Sequence, residues 1–209
     1  MLMKGQTEAV TLVLVTGIII GLVGTAYLWG APLIDKRTST IDVDIGKDFI
    51  NRLDDAIVEV ANRGAGEKTL DIPIGFLTVY TNDTDNTDNN SLVLELPINQ
   101  QMLFPDTIVY LGNSRDEVGI YGEVEPNILT MTGHSSGNLH LVYIRSRYRE
   151  LDTDTMTPQR GFKIALNDGK EVLKGTSQVT VSFDRTETII GGAKNNGNLI
   201  VTHVNVVVY

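Results

Sequence analysis

Three histidines, one run rich in asparagine and aspartate, and one row of arginines are where this chain could do chemistry. His134, His140 and His203 are candidate bases or metal ligands by residue type. No two of them stand at a usual metal-ligand spacing, and no serine elbow or nearby aspartate motif completes a triad. His203 sits among strand-type residues and reads as a hydrogen-bonded filler, and Gly133-His134-Ser135-Ser136-Gly137 reads as a flexible turn. The run from Asn82 to Asn90 offers many oxygens of the kind calcium prefers. An EF-hand loop, however, needs glycine at its sixth position and glutamate at its twelfth, and counting from Asp83 these are Asp88 and Leu94. A solvated hairpin loop fits the run better. It also holds Asn82-Asp83-Thr84 and Asn89-Asn90-Ser91, both of the glycosylation-acceptor type, so Asn82 and Asn89 are candidate acceptors. Arg145, Arg147 and Arg149 alternate along one strand face, opposite Tyr148. Among so many carboxylates they suit a solvated or intersubunit ion-pair row better than a phosphate site. Gly191-Gly192-Ala193 lacks the helix and lysine of a nucleotide loop. These residues point to no enzyme, metal or cofactor.

The elements around them say more. Between Glu8 and Asp35 there is no charged residue, and residues 9–34 are almost continuously apolar. As a helix those roughly 26 residues measure about 39 Å, enough to cross a bilayer with some tilt. The apolar core of an ordinary secretory signal is about half as long. On its C-terminal side Tyr27 and Trp29 form an aromatic pair, Pro32 suggests a stop, and Asp35, Lys36 and Arg37 follow. This segment is expected to stay in the mature protein. Counting basic residues leaves orientation open, with Lys4 on one side and Lys36 and Arg37 on the other. A tail too short to fold, leading into a single span, favours a translocated C-terminal body. Within the span, Gly17 and Gly21 lie four apart on one helix face, a smooth groove for a second helix. Thr11, Thr16 and Thr25 can bond to carbonyls of their own helix.

The chain has 209 residues, net charge -9 and no cysteine. The polar remainder has room for one domain with a real core. Its acidity argues against nucleic acid and anionic lipid surfaces as partners. Without cysteine, disulfides, thiolate nucleophiles and zinc-thiolate sites are all excluded.

The first residues, Met1-Leu2-Met3-Lys4-Gly5-Gln6-Thr7-Glu8, place a basic residue, a glycine and a glutamine ahead of an acidic residue and the apolar helix. This arrangement resembles the leader of archaeal type IV pilin-like proteins. The resemblance implies cleavage between Gly5 and Gln6 by a prepilin-type membrane peptidase, with Lys4 as the cytoplasmic charge. It also implies that Glu8 is the helix-start carboxylate that meets a neighbouring subunit's N-terminal amine. A carboxylate in the first turn suits the helix dipole and is expensive deep in lipid. The chain departs from the pattern in one respect: the usual acidic residue is fifth in the mature chain, whereas Glu8 would be third. The match covers about the first 35 residues. It implies a structural subunit of a surface filament, partnered by the membrane and by copies of itself or other pilin-like subunits. The alternatives are an uncleaved single-pass anchor carrying an extracellular β domain, either a stator-like accessory of an archaeal motility filament or an adhesion or binding ectodomain.

Beyond the span, the alternation at 41–45 predicts a short strand or linker. Phe49, Ile50, Leu53, Ala56, Ile57, Val60 and Ala61 recur at spacings of three and four, an amphipathic helix that Gly64 stops. From Lys68 the period becomes two. Strands are predicted at 70–80 (with Pro73 marking an edge or bulge), 91–96, 107–111, 118–124, 128–132, 139–145, 162–166, 171–173, 179–183, 186–190 and 199–208. Asn167-Asp168-Gly169 signals a hairpin between two of them. Many short strands without βαβ alternation predict an antiparallel sandwich. The expected fold is therefore α+β: leader 1–5, hydrophobic helix 6–34, linker and short amphipathic helix 35–66, and antiparallel β domain 67–209.

Overall fold

A computed structural model describes residues 3–81, 89–112, 115–137, 139–153, 159–167 and 172–209, with the side chains of 3–9, 172 and 173 excepted. One helix, α1 (Met3–Arg63), is followed by twelve strands. They are β1 (Glu67–Asp71), β2 (Phe76–Tyr80), β3 (Ser91–Ile98), β4 (Ile108–Tyr110), β5 (Val118–Ile120) and β6 (Asn127–Ser136). After these come β7 (Leu139–Tyr148), β8 (Glu150–Asp152), β9 (Arg160–Asn167), β10 (Val172–Gly175), β11 (Gln178–Ile189) and β12 (Asn198–Val208). The strands form two six-stranded sheets, ordered β1-β11-β12-β9-β8-β5 and β10-β2-β3-β7-β6-β4. The α+β fold with a sandwich-like domain is as the sequence predicts.

The helix is not divided. Pro32 suggests a stop and 41–45 a linker, yet α1 runs unbroken for 61 residues, about 90 Å. An internal proline removes one helical hydrogen bond and costs about 3 kcal/mol. Packing further along the helix outweighs that. From Ser39 onward one stripe (Ser39, Val43, Phe49, Ile50, Leu53, Ile57, Val60) is buried against the sheets. Of the alternating residues at 41–45, only Val43 is buried; Ile41 is 58% exposed. Five alternating residues satisfy a strand and a helix equally, and the stripe decides. Gly46 lets the backbone come close: a Cβ there would stand 2.6 Å from a Leu96 methyl and 3.2 Å from an Ile144 methyl. At the far end Gly64 adopts φ +62 and donates its N–H to the Val60 carbonyl, so the predicted stop is in place.

The helix touches β1, β11 and β12 of one sheet and β3 and β7 of the other. Its stripe joins Leu77, Leu92, Leu94 and Ile144 of one sheet and Val179, Val181, Val204 and Val206 of the other in a single core. With no disulfide, apolar packing of this kind carries the fold.

The sheets are mixed, not purely antiparallel: β12 pairs with β9, and β5 with β8, in parallel. The predicted strand at 70–80 splits at Pro73 into β1 and β2, which join opposite sheets. Strands predicted at 179–183 and 186–190 are one strand, β11, with a register shift between Phe183 and Arg185. The hairpin read from Asn167-Asp168-Gly169 does not form, because β9 lies between β8 and β12 while β10 pairs with β2 in the other sheet. Turn residues report a sharp reversal, not which edge the next strand will find.

Candidate functional site

Every residue from 10 to 29 is exposed, and none of them touches the β domain. This bare length of α1 is the feature most in need of a function. Its surface is Val, Leu, Ile, Tyr27 and Trp29, an area no soluble monomer leaves open to water. Thr16 and Thr25 donate their hydroxyls to the Leu12 and Gly21 carbonyls at 2.7 and 2.8 Å, so neither needs an outside partner. A methyl group added at Gly17, Gly21 or Gly24 would meet nothing within 4 Å, so their face is open along the rod. Lys4, Gly5, Gln6 and Glu8 lie on the helical backbone, and their side chains fall outside the described residues.

Where the rod becomes the seat, Gln100 of the segment after β3 donates to the Pro32 carbonyl at 3.1 Å. Further up, Asp54 is fully enclosed between α1 and the β6–β7 pair. Its Oδ1 accepts the Tyr148 hydroxyl at 2.6 Å and the Ser146 hydroxyl at 2.8 Å, and its Oδ2 accepts Asn127 Nδ2 at 2.7 Å. Desolvation pushes its pKa up from 3.8 to about 7, against the lowering effect of those hydrogen bonds, and the nearby Asp55 adds to the rise. Burial and the same carboxylate hold the Tyr148 hydroxyl well above its ordinary value, so it stays a donor. A cleft of about 680 Å³ opens beside this cluster, lined by Asp55, Glu59, Glu125 and Arg63 among others. All three bonds of Asp54 turn inward, away from it. At the helix end Glu59 pairs with Lys68 of β1 and with Arg63, and the Lys68 hydrogen bond holds the Glu59 carboxyl below its usual range.

The Asp54 cluster has a consequence for stability. Between pH 4 and 7 the unfolded chain ionises this carboxyl while the folded chain keeps it protonated. Stability is therefore greatest below the ordinary pKa and falls as pH rises through the folded value, by on the order of 4 kcal/mol if Asp54 acts alone. Asp54→Asn is expected to flatten that fall. Denaturant unfolding of the full chain in detergent at pH 4 and pH 8 measures it.

The other sequence candidates are dispersed. His134 is exposed; His140 Nδ1 lies 3.0 Å from Ser135 Oγ. His203 is in the opposite sheet, its Nε2 3.1 Å from the Glu187 carboxylate but off the line of a hydrogen bond. Among the described residues no three His, Asp or Glu side chains gather as metal ligands. Arg145 and Arg147 lie half-buried on the outer face of β7, with Arg147 3.6 Å from Glu117. Arg149 does not belong to that row: it is buried, donating Nε and Nη2 to the Glu125 carbonyl and Nη1 to the Asp116 carbonyl.

Asn82 lies outside the described residues, as does most of the calcium-like run. Asn89 is half-buried, with its amide oxygen shielded from solvent, and Ser91 is fully buried. Its neighbour Asn90 is buried and ties the sheets together. Its Nδ2 donates to the Tyr148 carbonyl of β7 and the Ile164 carbonyl of β9, and its Oδ1 accepts the Leu166 N–H at 2.8 Å. Sequence reasoning missed both Asp54 and Asn90. The one available signal was that Asp54 falls on the apolar stripe, four residues after Ile50.

Compared with protein-family models, curated proteins and solved structures, the chain matches none. Its function is therefore argued from its own residues.

Proposed function

We propose that this chain is a structural, non-enzymatic subunit of a cell-surface filament, of the archaeal type IV pilin-like kind. Its leader is removed between Gly5 and Gln6 by a prepilin-type peptidase. The rod then holds the subunit in the membrane, with the β domain outside, until rods of neighbouring subunits pack together as the filament core. The observation that carries this reading is the continuity of α1. One uninterrupted helix is bare over residues 10–29 and forms the domain core over its second half, so a pull on the rod is a pull on the folded body.

Energetics support the same division of labour. At about 25 cal/mol per Å² of apolar area, keeping a rod of this size from water is worth tens of kcal/mol, so it must be covered by lipid or by sister rods. Within lipid that drive vanishes, and close packing at the Gly17 and Gly21 face decides association. The acidic, outward domain presents its surface to solvent, with glycans at Asn82 and Asn89 where those acceptors are used.

Shearing the cell surface and assaying the released filaments for this chain tests the reading. Recovery in filaments is expected; recovery only from the membrane fraction would instead make it a single-pass anchored ectodomain. Glu8→Gln is expected to leave the body folded and membrane-bound while lowering its incorporation into filaments. Normal incorporation of that variant would remove the helix-start carboxylate from the mechanism.

A further inference from the structure

The end of the β domain from which the rod emerges carries its own apolar side chains. Phe104 is 81% exposed, Leu139 is 54% exposed, and Met102 is also open to solvent. Two independent measures of height place them. Gln100 bonds the Pro32 carbonyl, so the segment 99–106 stands at the level of Pro32. That is three residues, about 4.5 Å along the axis, beyond Trp29. Leu103 and Pro105 of the same segment lie against Gly133 of β6, near the β6–β7 turn.

The second measure comes from β7, which runs alongside α1 in the same direction. Gly46 faces Ile144, and Asp54 meets Ser146 and Tyr148. Five residues back from Ile144, Leu139 lies about 16 Å lower, level with Asp35 on the helix. The polar layer on each side of a bilayer's hydrocarbon is about 5–7 Å deep, and Trp and Tyr mark its inner boundary. With Tyr27 and Trp29 at that boundary, Met102, Phe104 and Leu139 fall inside the layer.

We propose that Met102, Phe104 and Leu139 form an interfacial rim that dips into the lipid headgroup layer around the rod and sets the domain against the membrane before assembly. This rests on the reading of the rod as a membrane span. The occupant is lipid because the patch is continuous with the rod and level with its aromatic belt. The domain's net charge of -9 gives no attraction to anionic lipid, so apolar burial holds the rim and neutral lipid suffices. Lys36 and Arg37, exposed just above, face the phosphates of the same layer.

The absence of cysteine makes single labels clean. The full chain carrying Ile20→Cys, Met102→Cys or Ile190→Cys would be labelled with an environment-sensitive fluorophore. It would then be reconstituted at about one chain per phosphatidylcholine vesicle, with lipids bearing a shallow or a deep spin-label quencher. Ile190 is the control for the opposite end: Val179 and Val181 of β11 lie in the core beside the helix, Phe183 meets Gly66 at the helix end, and β11 continues beyond it. The label at 20 is expected to lose fluorescence to the deep quencher and the label at 102 to the shallow one, with the label at 190 unaffected. Phe104→Ser with Leu139→Ser is expected to reduce the loss at 102 and leave that at 20 unchanged. If 20 is quenched and 102 is not, the rim is wrong and the span stands. If 20 is not quenched, both fail. Shielding at 102 that arises only as chains per vesicle increase would assign the patch to copy-to-copy contact and overturn the lipid rim.

Discussion

Asn90→Ala is expected to destabilise the β domain by on the order of 4 kcal/mol, a large part of the 5–15 kcal/mol that holds an ordinary domain. Asn90 is the polar tether between the two sheets. Its side chain satisfies carbonyls of Tyr148 in one sheet and Ile164 in the other, and accepts the N–H of Leu166. Alanine deletes all three bonds in a buried place, where each group left without a partner costs about 1–3 kcal/mol. The backbone adds to the loss. Asn90 has φ 57, a conformation asparagine tolerates and alanine resists.

Asn90→Gly separates the two effects, since glycine adopts that backbone freely but cannot make the tether. It is expected to recover about 1 kcal/mol of the loss and no more. Thermal unfolding of the full chain in detergent reads both, with a fall in Tm of about 10 °C for alanine. A change below about 1 kcal/mol for alanine would mean that these bonds contribute little net of desolvation.

Replacing Gly17 and Gly21 together with leucine is expected to cut filament yield about tenfold or more. A tenfold change corresponds to about 1.4 kcal/mol per assembly contact, well within what lost close packing between membrane helices can remove. Nothing else in the chain should change. Neither position touches the folded body, and an added methyl meets no atom within 4 Å. Leucine raises helix propensity and hydrophobicity, so membrane insertion should be as good or better. The variant is therefore expected at normal abundance in the membrane and missing from sheared filaments. Gly→Ala at both positions, which keeps the groove shallow, should assemble at an intermediate level. Unchanged assembly with leucine would take the glycine face out of the assembly mechanism.

Features that extend over many residues were readable from the sequence, and those resting on single contacts were not. The rod is an uninterrupted apolar length, and the amphipathic stripe from Phe49 to Ala61 repeats over four turns, so both are visible without a structure. Most strands were visible for the same reason. The join between rod and stripe was hidden because Pro32, the charges at 35–37 and the alternation at 41–45 each carry a local stop signal. Burial of Val43 and the close approach at Gly46 override all three. Sheet membership was equally hidden: Asn167-Asp168-Gly169 specifies a turn, but the free edge that β10 joins belongs to β2, some ninety residues earlier. Asp54 and Asn90 look like surface residues in a chain with many acids and asparagines. Only the tertiary fold shows that both are enclosed.

The mass of the chain taken from the cell surface tests the retained, self-covered rod most directly. A single species lacking residues 1–5 and beginning at Gln6, recovered from filaments, is the expected result. A species beginning after Ala31, or a dissolved monomer without the helix, would contradict it.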